Sequence, residues 1–444
     1  MKRATPPLYM RHAPMYHCAS TKEPLLSGAR MSTDTIQKLA RPSVLGGAMI
    51  IAGTAVGAGM FSIPIVTSGV WFSGSVALLV YTWACMLLSG LMILEATLHY
   101  PSGASFNTMV KDLLGKGWNA VNGLSVAFVL YILTYAYISA GGSIIAHTLE
   151  GIVGVGQTTA GLVFALVVAF IVWLSTRAVD RLSTILIGGM VITFVMSVGD
   201  MFTHVQPAVL FNTGDDQASY LPYALAALPY LLTSFGYHGN IPGLVKYYHK
   251  DSSSVVRSLV YGTLLALAIY ILWQYVIQGN IARDAFKQVI AEGGNIGSLL
   301  KQMGNVSSSQ TVSQLLNAFS YMALASSFLG VSLGLFDYLA DFCKFKDDAV
   351  GRSKTALVTF VPPTLAALLF PNGFLYAIGF AGLAATIWAV IVPALMARAS
   401  RRRYPQAGYR APGGNGVILF VILFGLINAA AHILSLFGLL PVFH

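Results

Sequence analysis

Long apolar stretches separated by short polar breaks make up most of this chain. Each stretch is about long enough to cross a hydrocarbon core of roughly 30 Å as a helix, which takes about 20 residues. A helix pairs its backbone groups internally, as a bilayer requires. The pattern therefore predicts an all-α membrane protein with eleven transmembrane helices. We place these spans approximately at 43–68, 73–98, 120–147, 160–176, 183–203, 222–246, 256–279, 312–341, 355–370, 374–397 and 415–440.

Two of the spans are interrupted by glycines near their middle. Span one contains Gly57, Ala58 and Gly59, and span six contains Gly236 and Gly239; an Ile-Pro pair follows each group. Glycine tolerates non-helical backbone, and proline suits the first turn of a new helix. Unwound backbone survives inside a bilayer only where it lines a cavity or is buried in protein. Two broken helices in corresponding positions therefore indicate a transporter binding site near the midplane.

The positions of these breaks predict an internal repeat. Breaks in spans one and six divide the bundle into two sets of five, residues 43–203 and 222–397, and leave the span at 415–440 over. Because five is odd, the two halves must be inverted relative to each other. The alternative is that the glycines only allow close helix packing, which Gly53 and Gly57 could serve alone. The Ile-Pro pair after both groups favours broken helices.

Charge supports the membrane assignment and predicts the orientation. Only 9% of the residues are charged, against about 25% in soluble proteins. With the N-terminus inside, 23 of the 26 Lys and Arg lie on its side, and only Arg283, Lys287 and Lys301 lie opposite. Basic residues stay cytoplasmic, so we expect a cytoplasmic N-terminus and a periplasmic C-terminus. Residues 1–42 are polar, basic and rich in proline, which predicts a disordered cytoplasmic tail.

Motifs for several other functions are missing from the sequence. The three cysteines lie far apart without a CxxC pair, and neither HExxH nor a GxxxxGK[ST] phosphate loop occurs. The sequence thus supports no disulfide framework, metal site, cofactor or ATP-driven pump. The formal charge of +10 is spread over the breaks, whereas nucleic-acid-binding proteins cluster basic residues on a polar face.

One acidic pair suggests an alternative from another class. Asp337 and Asp341 lie one turn apart near the inner end of span eight, with the DxxxD spacing of the magnesium motif of intramembrane prenyltransferases. No second acidic cluster accompanies them, and Lys344 and Lys346 follow closely. A charge-paired helix end is therefore favoured, and we expect no enzyme.

Three ionisable residues in or near spans are candidates for proton coupling, because a charge inside a span costs several kcal/mol. Glu95 lies near the inner end of span two and can equally well reach the interface. Asp200 lies at the outer end of span five, one turn from His204, which favours an interfacial pair. His238 lies inside the break of span six. Its imidazole can carry a proton or only bridge freed backbone groups.

The residues around the first break resemble a known signature. The run from Gly57 to Pro64 is similar to that of the hydroxy and aromatic amino acid permeases, a family of the amino acid-polyamine-organocation superfamily. Val56 stands where that signature usually has isoleucine. The resemblance covers about residues 43–444. Four further stretches resemble bacterial tryptophan-specific permeases in particular: 127–139, 234–242, 325–341 and 370–388.

This resemblance implies a leucine-transporter-like 5+5 inverted repeat with one extra C-terminal span. It implies import of an aromatic amino acid by proton symport across a bacterial inner membrane, with L-tryptophan as the leading substrate. No obligate protein partner is implied. Tyrosine or a broader aromatic and hydroxy amino acid range is the alternative. Many proton-coupled members of the superfamily carry a lysine in span five, where this chain has Met190. Since the resemblance begins near residue 43, we expect residues 1–30 to be dispensable and Met31 to serve as a start.

The two breaks also predict a substrate site. Amides at the start of the half-helix after Gly59 suit a carboxylate, and carbonyls at the end of the half-helix near Phe235 suit an ammonium group. The aromatic ring would then lie toward spans three, six and eight. In span three, Tyr131 and Tyr135 share a face, and Tyr137 points elsewhere. The candidate substrate-binding residues are Gly57, Ala58, Gly59, Tyr135, Phe235, Gly236, Asn240, Ser326 and Ser327.

Overall fold

The structure is a computed structural model, and all regular elements in its described part are helical. The predicted tail lies outside the described residues except for Pro42, and so does the expected start at Met31. The residues that the structure describes are 42–150, 154–215, 217–306, 309–406 and 408–443.

The helices vary in length from single turns to long rods. Their bounds, in chain order, are α1 Val44–Ala55, α2 Ser62–Val66, α3 Trp71–Thr97, α4 Phe106–Leu149, α5 Gln157–Leu174, α6 Thr176–Thr203, α7 Pro207–Leu210, α8 Ala224–Ser234, α9 Ile241–Tyr247, α10 Ser252–Asn280, α11 Ala285–Ala291, α12 Ile296–Val306, α13 Gln310–Cys343, α14 Ala349–Leu369, α15 Phe374–Ala385, α16 Val392–Arg403 and α17 Gly414–Leu436. A π-helical turn, Thr386–Ile391, joins α15 to α16.

Many of these helices have the length and composition of membrane spans. We count α15, the π-helical turn and α16 as one continuous helix. In the described part of the chain, eight helices are then long and apolar enough to cross a membrane. A bent pair, α1 with the segment Ala58–Val66, makes a ninth. The all-helical, multi-pass membrane architecture predicted from the sequence is confirmed.

The first predicted break lies where the sequence places it. Helix α1 ends at Ala55, and Val56 adopts an extended conformation with φ −78° and ψ 109°. Gly57 is extended as well, and a 3₁₀ turn, Ala58–Phe61, then leads into α2. The two halves are bent by 51°. The chain thus leaves helical geometry for two residues and resumes it in a new direction.

The second predicted break interrupts the segment between α8 and α9. Helix α8 ends at Ser234, and the chain from Phe235 to Tyr237 is not helical. A 3₁₀ turn, His238–Asn240, then starts α9, with Pro242 in its first turn. Proline lacks an amide hydrogen, so a helix start accommodates it without losing a hydrogen bond.

Long helices surround both breaks. Helix α1 packs along α10, the turn Ala58–Phe61 contacts α13, and α8 packs against α3 and α15. Helix α4 lies against α5, α13 and α15. The broken segments are therefore held between full-length helices, which brings residues from distant parts of the chain to the breaks.

A group of aromatic side chains fills the space beside α2. The rings of Phe61, Phe194, Trp273 and Phe319, which we call the α2 aromatic cluster, have neighbouring centroids between 5.2 and 6.3 Å apart. Aromatic rings bury large apolar areas and prefer such tilted or edge-on contacts. The cluster thus fastens the second half of the first broken segment to α6, α10 and α13.

A buried ion pair joins three other elements. Both carboxylate oxygens of Glu95, at the end of α3, accept hydrogen bonds from Arg401 on α16, at 2.7 and 2.8 Å. Glu95 also accepts a hydrogen bond from the Ala411 amide at 2.8 Å, and Arg401 donates to the Ala411 carbonyl at 3.0 Å. Glu95 is 1% exposed. This Glu95–Arg401 clamp connects α3, α16 and the segment before α17.

We expect Glu95→Gln to lower the free energy of unfolding by up to about 3–5 kcal/mol, because it leaves the Arg401 guanidinium, whose side chain is 11% exposed, without its counter-charge. The control is Asp112→Asn, which removes the ion pair between Asp112 and Arg403, whose side chains are both partly exposed. Its loss should stay below about 1 kcal/mol. Unfolding titrations in sodium dodecyl sulphate measure both. An equal loss in the free energy of unfolding of the two variants would contradict the prediction that the Glu95–Arg401 pair stabilises the fold more than the exposed pair does.

Candidate functional site

The first break lies directly against α13. A Cβ added to Gly57 would lie 2.4 Å from the Ser327 hydroxyl oxygen. The next amide, that of Ala58, donates a hydrogen bond to the same oxygen at 3.1 Å. Glycine at position 57 is therefore required by the close approach of the two segments. The structure brings together three of the residues that the sequence proposes for the site.

The two breaks meet at Tyr270 of α10. Its hydroxyl oxygen lies 2.6 Å from the carbonyl oxygen of Ala55 and 2.6 Å from that of Ser234. These carbonyls end the first half of each broken segment, at the negative end of a helix dipole. One hydroxyl proton can serve only one carbonyl at a time. The ring of Phe235 packs edge-on against Tyr270 at 5.2 Å, and Gly59 lies beside Ser234.

Sequence reasoning missed Tyr270. Its only sequence signal is a hydroxyl-bearing side chain in the middle of an otherwise apolar span. Tyrosines are common in this chain, with 21 in total, so that signal does not single out one of them. The contact with both carbonyls appears only when α10 is packed against both breaks.

One side of the breaks is accessible and the other is closed. Asn240 donates a hydrogen bond to the Thr54 hydroxyl at 2.6 Å, so the turn before α9 contacts α1. Beside this contact, Gly53, Thr54 and Gly236 are exposed. On the α2 side, the α2 aromatic cluster fills the space with rings that are mostly fully buried. The described residues around the breaks are therefore more exposed on the α1 side than on the α2 side.

His238 is buried on another side of the second break. Its ring stacks on Tyr237 with centroids 4.5 Å apart and meets the edge of Trp388, in the π-helical turn, at 6.2 Å. Among the described residues, neither ring nitrogen forms a hydrogen bond of full geometry, and the Met86 backbone is a weak partner of the ring. The neighbouring Tyr237 hydroxyl donates to the Met86 carbonyl at 3.0 Å. A buried imidazole without a well-formed hydrogen bond is costly.

The tyrosine proposed from span three points away from the breaks. The Tyr135 hydroxyl donates to the Phe370 carbonyl at 2.8 Å, in the connection between α14 and α15. Tyr137 is buried instead beside Phe328, with ring centroids 6.3 Å apart, and Phe328 directly follows Ser327. Residues two apart on a helix face nearly opposite sides. The sequence shows that Tyr135 and Tyr137 lie on different faces of α4. Only the packing shows that Tyr137 lies on the face toward α13.

The remaining candidates have local partners. The Asp200 side chain is 39% exposed, and its carboxylate lies 3.8 Å from His204, as expected of an interfacial pair. Glu95 belongs to the Glu95–Arg401 clamp. The Ser326 hydroxyl donates to the Ala323 carbonyl of its own helix at 3.1 Å and is partly exposed. The site residues predicted in the two breaks and at Ser327 thus come together, whereas Asp200 and Glu95 lie elsewhere.

The acidic pair on α13 differs from its prediction. Asp337 and Asp341 form no ion pair with Lys344 or Lys346 in the described part of the chain, so the predicted charge pairing is not formed. Lys344 ends the helix in a left-handed conformation, with φ 55°. Across the described residues, no group of three or more His, Cys, Asp or Glu side chains has a geometry that could hold a metal ion.

Comparison with known proteins decides the family. Residues 40–432 match the tryptophan/tyrosine permease family. The chain belongs to this family. The family consists of permeases, so the prenyltransferase alternative does not apply.

Relatives of this permease are named for the amino acids that they transport. A tryptophan-specific transport protein of Pseudomonas aeruginosa is 62% identical over 403 residues, which cover 90% of this chain and 97% of the relative. A tyrosine permease of Enterobacter agglomerans is 43% identical over 412 residues, covering 91% and 99% of the two chains. A crystal structure of a histidine-to-alanine mutant of the Eremococcus coleocola manganese transporter is similar in fold, with TM-score 0.57 and 13% identity. That match covers 93% of this permease and 89% of the other chain.

We expect Gly57→Ala to destabilise this permease by about 1–3 kcal/mol, because the added Cβ overpacks the contact with Ser327. Ser327→Ala removes the clashing oxygen, leaving a Cβ 3.8 Å away, but it also removes the acceptor of the Ala58 amide. We therefore expect Ser327→Ala to be destabilising by itself, and Gly57→Ala to cost much less in the Ser327→Ala background than in the unmodified protein. The control is Gly59→Ala, whose Cβ would have no neighbour nearer than 3.9 Å. A double-mutant cycle on the free energy of unfolding measures the coupling. A loss in Gly59→Ala equal to that in Gly57→Ala would contradict the prediction.

Proposed function

We propose that this permease imports L-tryptophan by proton symport across a bacterial inner membrane. The observation that carries the proposal is the pair of broken segments whose freed carbonyls meet at one tyrosine hydroxyl, since such breaks form substrate sites in transporters. Tryptophan is favoured over tyrosine because the relative named for tryptophan is much more similar to this chain than the relative named for tyrosine.

We infer eleven spans for this permease. Helix length and composition support nine of these spans. The broken pair of α8 and α9 supplies a tenth. Helix α14 supplies another, because its 21 residues extend about 31 Å at 1.5 Å per residue. The first five spans and the next five then form inverted halves, 43–203 and 222–397, and 415–440 is the extra span. The distribution of Lys and Arg supports a cytoplasmic N-terminus and a periplasmic C-terminus.

In the proposed binding mode, each charged group of the amino acid meets freed backbone. The carboxylate lies at the amides that begin the second half of the first broken segment, around Gly59. The ammonium group donates to whichever of the Ala55 and Ser234 carbonyls the Tyr270 hydroxyl does not serve. The aromatic ring lies toward Phe235 and Tyr137, and Tyr137 replaces Tyr135 in this assignment.

The polar candidates on the accessible side complete the proposed path. Gly236 is exposed beside the second break, and Ser326 is partly exposed on α13. The hydrogen bond between Asn240 and Thr54 is exposed on this same side. We assign these residues to the entry and exit of substrate, with the contact between Asn240 and Thr54 opening as substrate passes.

For the proton, His238 is the best of the three candidates. Glu95 is committed to Arg401, and Asp200 lies at a half-exposed helix end. His238 lies within the second break and forms no hydrogen bond of full geometry among the described residues. A change at this break would expose its ring nitrogens to water or to another polar group. Proton uptake and substrate binding would then act on the same segment.

We expect proteoliposomes that contain the purified permease to exchange labelled L-tryptophan by counterflow. At fixed membrane potential, an imposed pH gradient should drive accumulation, and a sodium gradient should not. Unlabelled tyrosine at the same concentration should compete less than unlabelled tryptophan. Absence of tryptophan counterflow would refute the substrate, equal competition would favour the broader aromatic range, and accumulation driven by sodium would refute proton symport.

We expect Tyr270→Phe to lower kcat/KM for tryptophan about 5- to 150-fold, because the two breaks lose the hydroxyl that holds the Ala55 and Ser234 carbonyls in position for the ammonium group, an interaction worth about 1–3 kcal/mol. The control is Tyr275→Phe on the same helix, whose ring packs against Phe72 and Phe202. Initial uptake rates over a range of tryptophan concentrations measure both variants. Unchanged transport in Tyr270→Phe, or an equal loss in Tyr275→Phe, would contradict the proposed site.

A further inference from the structure

A cavity of about 610 Å³ lies where α16 ends and α17 begins. Four arginines from two different segments of the chain line it. Gly414 and Asn415, at the start of α17, continue its lining. The lining contains no Asp or Glu. The four arginines are Arg398, Arg401, Arg402 and Arg410.

Three of these positive charges have no counter-charge. Arg401 is paired with Glu95 in the Glu95–Arg401 clamp. Arg398 and Arg402 are exposed and form no ion pair in the described part of the chain, and Arg410 donates only to the Pro405 carbonyl. Like charges that converge on one cavity repel each other, so the arrangement favours an anionic occupant. Guanidinium groups match the geometry of phosphate oxygens particularly well.

Part of the lining of the cavity is apolar. Ile418, Leu419 and Ile422 form this part along the first turns of α17. Leu419 is 58% exposed, and Leu423 and Leu426 continue the exposed apolar surface along the same helix. A free phosphate ion would gain nothing from this apolar lining, whereas an acyl chain would. Basic pockets between helices at the membrane surface are suited to anionic headgroups.

We propose that this cavity binds an anionic phospholipid. Its phosphate meets Arg398, Arg402 and Arg410, and one acyl chain follows α17 past Leu419. The site requires only that the chain spans a membrane, so it does not depend on the transported substrate. Because Arg401 lines the cavity and also holds Glu95, the lipid binds beside the junction of α3, α16 and α17.

The test compares phosphatidylglycerol with phosphatidylcholine of the same acyl chains, each titrated into the detergent-purified permease and followed by native mass spectrometry. We expect a triple variant, Arg398→Gln with Arg402→Gln and Arg410→Gln, to bind phosphatidylglycerol about 100-fold more weakly, since each basic residue near a membrane surface contributes about fivefold. Binding of phosphatidylcholine should not change.

A matched control removes three charges elsewhere: Arg177→Gln with Arg181→Gln and Lys354→Gln, all exposed and outside the cavity. It should keep the affinity of the unmodified protein for phosphatidylglycerol. If the cavity variant fails to fold, Arg402→Gln alone should show about a fivefold loss. Full affinity in the cavity variant, or an equal loss in the control, would overturn the proposal. So would competition by inorganic phosphate or glycerol phosphate as strong as that by the lipid, which would indicate an ion site.

Discussion

A backbone group inside a bilayer has no water to bond, so each residue that leaves helical geometry must find a partner within the protein. This constraint governs the arrangement around both breaks. The Ala58 amide donates to Ser327, and the carbonyls of Ala55 and Ser234 share the single proton of Tyr270. One donor for two acceptors leaves the pair incompletely satisfied. The proposed ammonium of the substrate would complete it, so the same deficit would both position the substrate and make its binding favourable.

The two sides of the breaks differ in how tightly they are packed. The candidate site is therefore closed on one side and exposed on the other. The α2 aromatic cluster fills one side with packed rings, whereas on the other side Gly53, Thr54 and Gly236 are exposed. Packed aromatic rings resist small displacements because interiors are dense. A single hydrogen bond between Asn240 and Thr54 is a weaker barrier. In the proposed function, movement that admits or releases a substrate would therefore occur on the α1 side.

Charged side chains are kept away from the centre of the bundle. Glu95 and Arg401 neutralise each other at the ends of α3 and α16. Arg283 is buried as well, and it donates to the carbonyls of Ser68, Gly69 and Ser219 near the end of α2. Each of these charges satisfies backbone or an ion partner at the edge of the fold. Among the described residues, the interior is left to backbone dipoles, hydroxyls, side-chain amides such as that of Gln274, and His238. Such neutral polar groups suit a zwitterion that must be released as easily as it binds.

Local sequence determined the helical spans and both breaks, because these depend on apolar length and on glycine followed by Ile-Pro within one segment. The resemblance carried by the same residues was sufficient to predict the family. Tertiary structure decided which side chains meet at the breaks. Whether Tyr135 or Tyr137 faces α13 depends on how α4 is rotated, which its sequence leaves open. The partners of Glu95 and of Ala58 are remote along the chain, and Tyr270 gains its role only where three helices meet. A hydrogen bond between distant segments leaves no periodic pattern in the sequence, so packing alone determines it.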